Sequence, residues 1–143
     1  MPVFALTLTN LNSEEGGTIW ISALVVKNGL VYSDKDLSVE VDPKGSIIGT
    51  GITPGSSFTY FAVGKVGDLP SDTVGAITLS TLPVFPGKTI AVTSWNCNWG
   101  TAVNKVDAEL VLPQWVVQMS GYKSDGMKAQ ATVAFHNNAV PNM

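Results

Sequence analysis

Met127-Lys128-Ala129-Gln130-Ala131-Thr132-Val133-Ala134-Phe135-His136 alternates between apolar and polar residues. Met127, Ala129, Ala131, Val133 and Phe135 point one way, and Lys128, Gln130, Thr132 and His136 the other. A period of two marks a strand with one buried face. The small Ala residues on the inner side suggest close approach of a facing sheet. The other end of the chain repeats the pattern: Val3 to Leu11 sets Phe4, Leu6 and Leu8 against Ala5, Thr7 and Thr9.

Between these two strands, turn formers interrupt the chain at short intervals. Ser13-Glu14-Glu15-Gly16-Gly17 is a turn, and Thr18 to Val26 is apolar on both sides, as a central strand would be. Asn28-Gly29 between apolar runs is the strongest short hairpin signal. A polar loop at Ser33-Asp34-Lys35-Asp36 precedes a strand in which Leu37, Val39 and Val41 alternate with Ser38, Glu40 and Asp42. Turns at Asp42-Pro43-Lys44-Gly45 and Thr53-Pro54-Gly55-Ser56 lead to an aromatic strand, Phe58 to Val63. Gly64 to Asp72 reads as a loop, Val74 to Leu82 as a strand and Pro83 to Lys88 as a turn. Thr89 to Thr93, Val106 to Leu112 and Trp115 to Ser120 (ended by Gly121) are further strands, and Asn137 to Met143 is a loose tail. No window keeps a period of 3.6. Nine or more short strands at this spacing predict one all-β domain over 1–143, a two-sheet antiparallel β-sandwich or a closed barrel.

Composition narrows the function. The 143 residues carry net charge −3, 13% charged residues and 45% hydrophobic ones. All 8 positive side chains are Lys. Without Arg, the usual fork for phosphates and base edges, nucleic acid is a poor partner. Docking on anionic lipid through a polybasic patch is equally disfavoured. The absence of a spanning apolar run or a basic leader predicts a protein made soluble, without signal peptide or transmembrane segment. The single Cys97 excludes an intrachain disulfide and reads as inert core. The one histidine, His136, is badly placed for a hydrolase triad, and one Cys with one His cannot build a zinc site. Asp34, Asp36, Glu40 and Asp42 could offer oxygens to calcium, but the spacing fits no EF-hand and a solvated loop is preferred. Asp107 and Glu109 share one strand face with no facing wall for glycoside hydrolysis. The expectation is a binding protein without catalytic residues, cofactor or metal.

The most concentrated signal is Ser94-Trp95-Asn96-Cys97-Asn98-Trp99-Gly100, with two of the 4 Trp residues. Such a pair is either a packed corner of the core or an aromatic contact surface. With Trp20, Tyr32, Tyr60 and Tyr122 elsewhere, rings gathered at one end of the sandwich could enter a headgroup zone or stack on sugars. A lectin is therefore the alternative to a lipid binder.

Trp95-Asn96-Cys97-Asn98-Trp99-Gly100, with Asn104 beyond it, resembles the Trp-Asp-Cys-Pro-Trp-Gly segment of the aegerolysins. The Asp34-Lys35-Asp36 loop, the Pro-Gly turn before an aromatic strand, Trp115 with Ser120-Gly121, and Gly126 stand at similar places. Asn96 and Asn98 replace the family's Asp and Pro, and the second Cys of many members is missing near Ala62-Val63-Gly64-Lys65. The resemblance implies a sandwich of the aegerolysin and actinoporin kind that binds sphingolipid-type headgroups. It further implies recruitment of a perforin-like (MACPF) pore-forming partner in a two-part insecticidal toxin acting outside the cell. A homodimer is left open. Carried over by residue, Trp99 and then Trp95 match the lipid-contacting position. Asn96, Asn98 and Tyr32 complete the expected lipid site.

Overall fold

The computed structural model describes residues 3–41, 47–66, 69–70, 72–83, 88–97, 104–123 and 128–138. Its strands are β1 (Val3–Asn10), β2 (Ile19–Asn28), β3 (Leu30–Tyr32), β4 (Glu40–Val41), β5 (Gly51–Ile52) and β6 (Ser57–Val63). They continue with β7 (Lys65–Val66), β8 (Leu69–Pro70), β9 (Thr73–Ser80), β10 (Thr89–Cys97), β11 (Asn104–Leu110), β12 (Trp115–Lys123) and β13 (Lys128–Asn137). A 3-10 turn at Glu14–Gly16 is the only helical piece among the described residues. One sheet has the order β12-β13-β1-β6-β3-β4, the other β11-β10-β9-β2-β5, and β7 pairs with β8. The protein is an all-β, two-sheet sandwich.

Alternation becomes burial as expected. Phe4, Leu6 and Leu8 of β1, Ile77 and Leu79 of β9, and Val133 and Phe135 of β13 turn between the sheets. Each such side chain contributes roughly 1.5–3 kcal/mol by leaving water. Pairing is antiparallel with one exception: β1 runs parallel to β13, Val3 beside Lys128 through Asn10 beside Phe135. The two cleanest strands of the sequence are thus neighbours, joining the first and last described strands of the chain in mid-sheet.

Three local expectations are corrected. Asn28-Gly29 is not a hairpin, because β2 pairs with β9 and β5 while β3 pairs with β6 and β4. At Gly29 the chain leaves one sheet for the other. Second, the strand foreseen from Leu37 shrinks to Glu40–Val41. The Asp34 carboxylate accepts from the amides of Ser38 (3.0 Å) and Val39 (2.8 Å) and from the Ser38 hydroxyl. Those bonds hold the carboxyl below its ordinary range, and Leu37 takes φ 56. An Asx-type cap has displaced the ladder. Third, β12 continues past Gly121 to Lys123 through a register shift.

The start of the presumed tail is fixed. Buried Asn12 accepts from the Asn137 amide at 2.6 Å, and the Asn138 amide donates to Gln114 at 2.7 Å. Asn10, also buried, donates to the carbonyls of Ile52 (2.8 Å) and Gly17 (3.0 Å) and accepts from the Asn12 amide. This knot ties an end of β1 to the other sheet and to the end of β13. The rest of the predicted tail lies outside the described residues.

Candidate functional site

The strand that carries the tryptophan motif is longer than its composition suggests. β10 runs through Trp95 to Cys97, bonded on one side to β9 and on the other to β11. Thr93, Trp95 and Cys97 face inward, whereas Ser94 is half-buried and Asn96 exposed on the outer face. An Asn, usually a turn former, is accommodated here because its side chain stays in water.

Trp95 is 2% exposed, so the expectation that its indole lies at a wet boundary is corrected: it is core. Its ring lies 5.3 Å from that of Tyr60 at 60°, a tilted aromatic pair. Its Nε1 donates to Thr73 Oγ1 at 3.0 Å. Gly75, opposite Trp95 on β9, leaves the space the indole fills; a Cβ there would lie 2.5 Å from Trp95 Cη2. Of the other expected site residues, Tyr32 sits half-buried on β3, outward-facing on the six-stranded sheet. Asn96 is on the opposite outer face, so the fold does not bring these two together. Asn98 and Trp99 lie outside the described residues, between the end of β10 and the start of β11 in sequence. Trp115 is buried, and Trp20 is half-buried over Gly51.

Burial, with the Asp72 carboxylate adding to it, pushes the Cys97 thiol up to about 11. Protonated at neutral pH, it is no nucleophile. In the native protein at pH 8, Cys97 is expected to alkylate with iodoacetamide more than about 100-fold more slowly than in the urea-unfolded chain. Equal rates would show the thiol is open to solvent. His136 belongs to β13 opposite Val116, its Nε2 enclosed without a hydrogen-bond partner among the described residues. No group of three or more His, Cys, Asp or Glu able to hold a metal occurs among the described residues. Among them, too, no helix is long and apolar enough to cross a membrane.

A concavity that the linear pattern did not reveal lies on the outer face of the five-stranded sheet. It has a volume of about 320 Å³ and spans β2, β9, β10 and β11. Ala76 and Ser94 form its floor with Gly75, beneath which the Trp95 indole lies. Lys27 stands on one bank, Lys105 and Asp107 on the other, and Asn96 lies between. The pairings Ser94–Asp107 and Asn96–Lys105 put these groups in adjoining rows. The alternation of Lys105 with Asp107 was visible in the sequence; the register that faces them to Asn96 and Ser94 was not.

The two-sheet β-sandwich is a fold shared with solved structures. Among the structures it resembles are RahU, solved in complex with a TRIS molecule, and IP-1A from Alcaligenes faecalis. RahU superposes with TM-score 0.81 at 17% identity over 95% of both chains. IP-1A gives 0.74 at 18% identity, over 95% of this chain and 91% of its own. No family model matches the sequence, and no curated protein matches it.

Proposed function

We propose that this chain is a non-enzymatic membrane-recognition protein that docks on sphingolipid-type headgroups. It then recruits a larger perforin-like partner that forms the pore, as the docking half of an insecticidal pair. The observation that carries this reading is a sandwich shared with RahU and IP-1A across nearly the whole chain, with Trp95 and Cys97 of the Trp-x-Cys-x-Trp-Gly sequence closing one strand.

The two indoles have separate roles in this reading. Trp95 and Cys97 anchor the last residues of β10 in the core, so the segment after Cys97 starts from a fixed strand end. Trp99 is the ring offered to the bilayer interface, where an indole is stable. Asn98 and exposed Asn96 supply neutral hydrogen-bonding groups without the cost of desolvating a charge. Tyr32, on the other face, is not part of this contact.

The test is sedimentation with vesicles containing sphingomyelin or ceramide phosphoethanolamine, each with and without sterol. Trp99→Ala should weaken binding by at least about tenfold, equivalent to ~1.4 kcal/mol, with an unchanged unfolding midpoint. A folded Trp99→Ala variant that binds like the parent would overturn the assignment. Glycan-array binding without any vesicle response would replace it with the lectin reading.

A further inference from the structure

We infer that the open edge of β12 is a self-association surface, at which two copies of this chain pair antiparallel and join their six-stranded sheets into one. This goes beyond the membrane reading and does not depend on it.

β12 ends the six-stranded sheet, and β13 is its strand neighbour there. Alternate backbone N–H and C=O groups of an edge strand point away from the ladder, and such a row templates a further strand. Sheet edges are ordinarily guarded by charge, proline, a bulge or short length. The other edges of this sandwich follow that rule. β4 and β5 are two residues each, and β11 exposes Lys105, Asp107 and Glu109 at alternate positions. β12 carries no charged residue from Trp115 to Ser120. Its register with β13 shifts only after Ser120, so the stretch before it stays regular.

That stretch is apolar as well as open, with Val116 46% and Met119 40% exposed. Met119 is the more informative of the two. It lies opposite the fully buried Val133 and so stands on the core side of the sheet. A core-facing Met open to water marks the place where the layer between the sheets ends uncovered.

Symmetry and charge select a second copy as the occupant. A strand paired antiparallel with its own copy makes a closed, isologous contact. With the two-fold at Gln118, Val117 of each protomer lies directly beside Met119 of the other on the core side, which covers both. No charged residue falls within Val116 to Ser120, so no like charges meet. Pairing β12 with β11 of another copy would set an apolar edge against a charged one. It would also be heterologous, building an open fibre instead of a closed pair. A two-fold along the sheet normal reverses every strand, so the Cys97 ends of the two β10 strands leave the dimer in opposite directions. They cannot meet one flat surface together.

Sedimentation velocity of the full chain from about 1 μM to about 1 mM is expected to show a monomer–dimer equilibrium that stops at the dimer. Met119→Lys brings like charges together near the two-fold and should weaken dimerisation by at least about tenfold. Val25→Lys, at a valine 54% exposed on β2, should leave it unchanged. Both positions are exposed, so neither change should prevent folding. Hydrogen exchange gives the location: alternate amides between Val116 and Ser120 gain protection as concentration rises, and those of β11 do not. Exposed Gln118, replaced in Gln118→Cys, should close an intermolecular disulfide under a mild oxidant while buried Cys97 stays out of reach. A monomer at every concentration, or a dimer that Met119→Lys leaves intact, would overturn the inference. So would protection of the β12 amides that ignores concentration, which would give the edge to a segment of the chain itself. Growth beyond the dimer would overturn it too, since the contact would then be heterologous. Trp99→Ala should leave the equilibrium unchanged, so failure of the membrane reading and failure of this one are told apart.

Discussion

Trp95→Ala is expected to lower the free energy of unfolding by about 3–5 kcal/mol, the range for deleting a fully buried Trp. Its indole is among the largest buried side chains of the core, packed against Tyr60 and Gly75. Truncation leaves a void between the sheets, because strands laddered on both sides cannot collapse into it. It also strips Thr73 Oγ1 of its donor, in a core where the Tyr60 and Thr93 hydroxyls already lack partners among the described residues. Trp95→Phe keeps most of the ring area and loses the N–H, so it should cost less, roughly 1–3 kcal/mol. Urea denaturation followed by circular dichroism reads both. A loss under about 1 kcal/mol for Trp95→Ala would mean that the indole does not fill the inter-sheet space. Set beside Trp99→Ala, the experiment separates two residues that the sequence presents as a pair: one holds the strand, and the other is the residue proposed to meet the lipid surface.

That pairing marks how far the sequence can be read. Period-two alternation is local, so β1 and β13 were legible with their inner faces, and β6 and β9 as strands. Tyr60 fell inward and Phe61 outward for the same reason. Partnership is not local. Nothing in the alternation of Val3–Asn10 and Lys128–Asn137 says that they lie side by side in parallel, since any strand with the same period would satisfy the pattern. Leu37, Val39 and Val41 alternate as well as a strand does, yet Asp34 captures the backbone first, and Val39 is left 56% exposed. The side chain that decided the outcome was in view; its three competing hydrogen bonds were not.

The candidate site was legible only in part for the same reason. Two Trp residues four apart read as a pair, but a strand continuing to Cys97 puts Trp95 inside, whatever the composition suggests. The outer-face concavity depends on four strands lying in register and on a bulge at Lys27, neither of which a single strand's sequence records. Lys27 looks like any solvated lysine until β9 and β10 are laid between it and Lys105.

Gly29→Ala is expected to be the most damaging glycine substitution in the described turns, and a matched control isolates the reason. Gly29 and Gly49 share φ 90, a backbone state that costs an L-residue strain wherever it occurs. At Gly49 a Cβ would meet nothing within 4 Å, so Gly49→Ala should cost only that strain, about 1–2 kcal/mol. At Gly29 the same Cβ would collide with the Val63 carbonyl oxygen and come within 3.0 Å of Thr73 Oγ1. The carbonyl belongs to β6, the strand that receives β3 directly after the chain crosses between sheets. Backbone cannot swing aside as a side chain can, so relief requires the corner to open and the Leu30–Val63 pairing to shift. Thr73 is also the acceptor for the Trp95 N–H, which couples the corner to the core. An overpacking cost of roughly 1–3 kcal/mol therefore adds to the strain. Unfolding curves for the two variants, measured side by side, should differ by at least that increment. Equal losses would show that the positive φ alone demands glycine and that the sheet-to-sheet corner has room to spare.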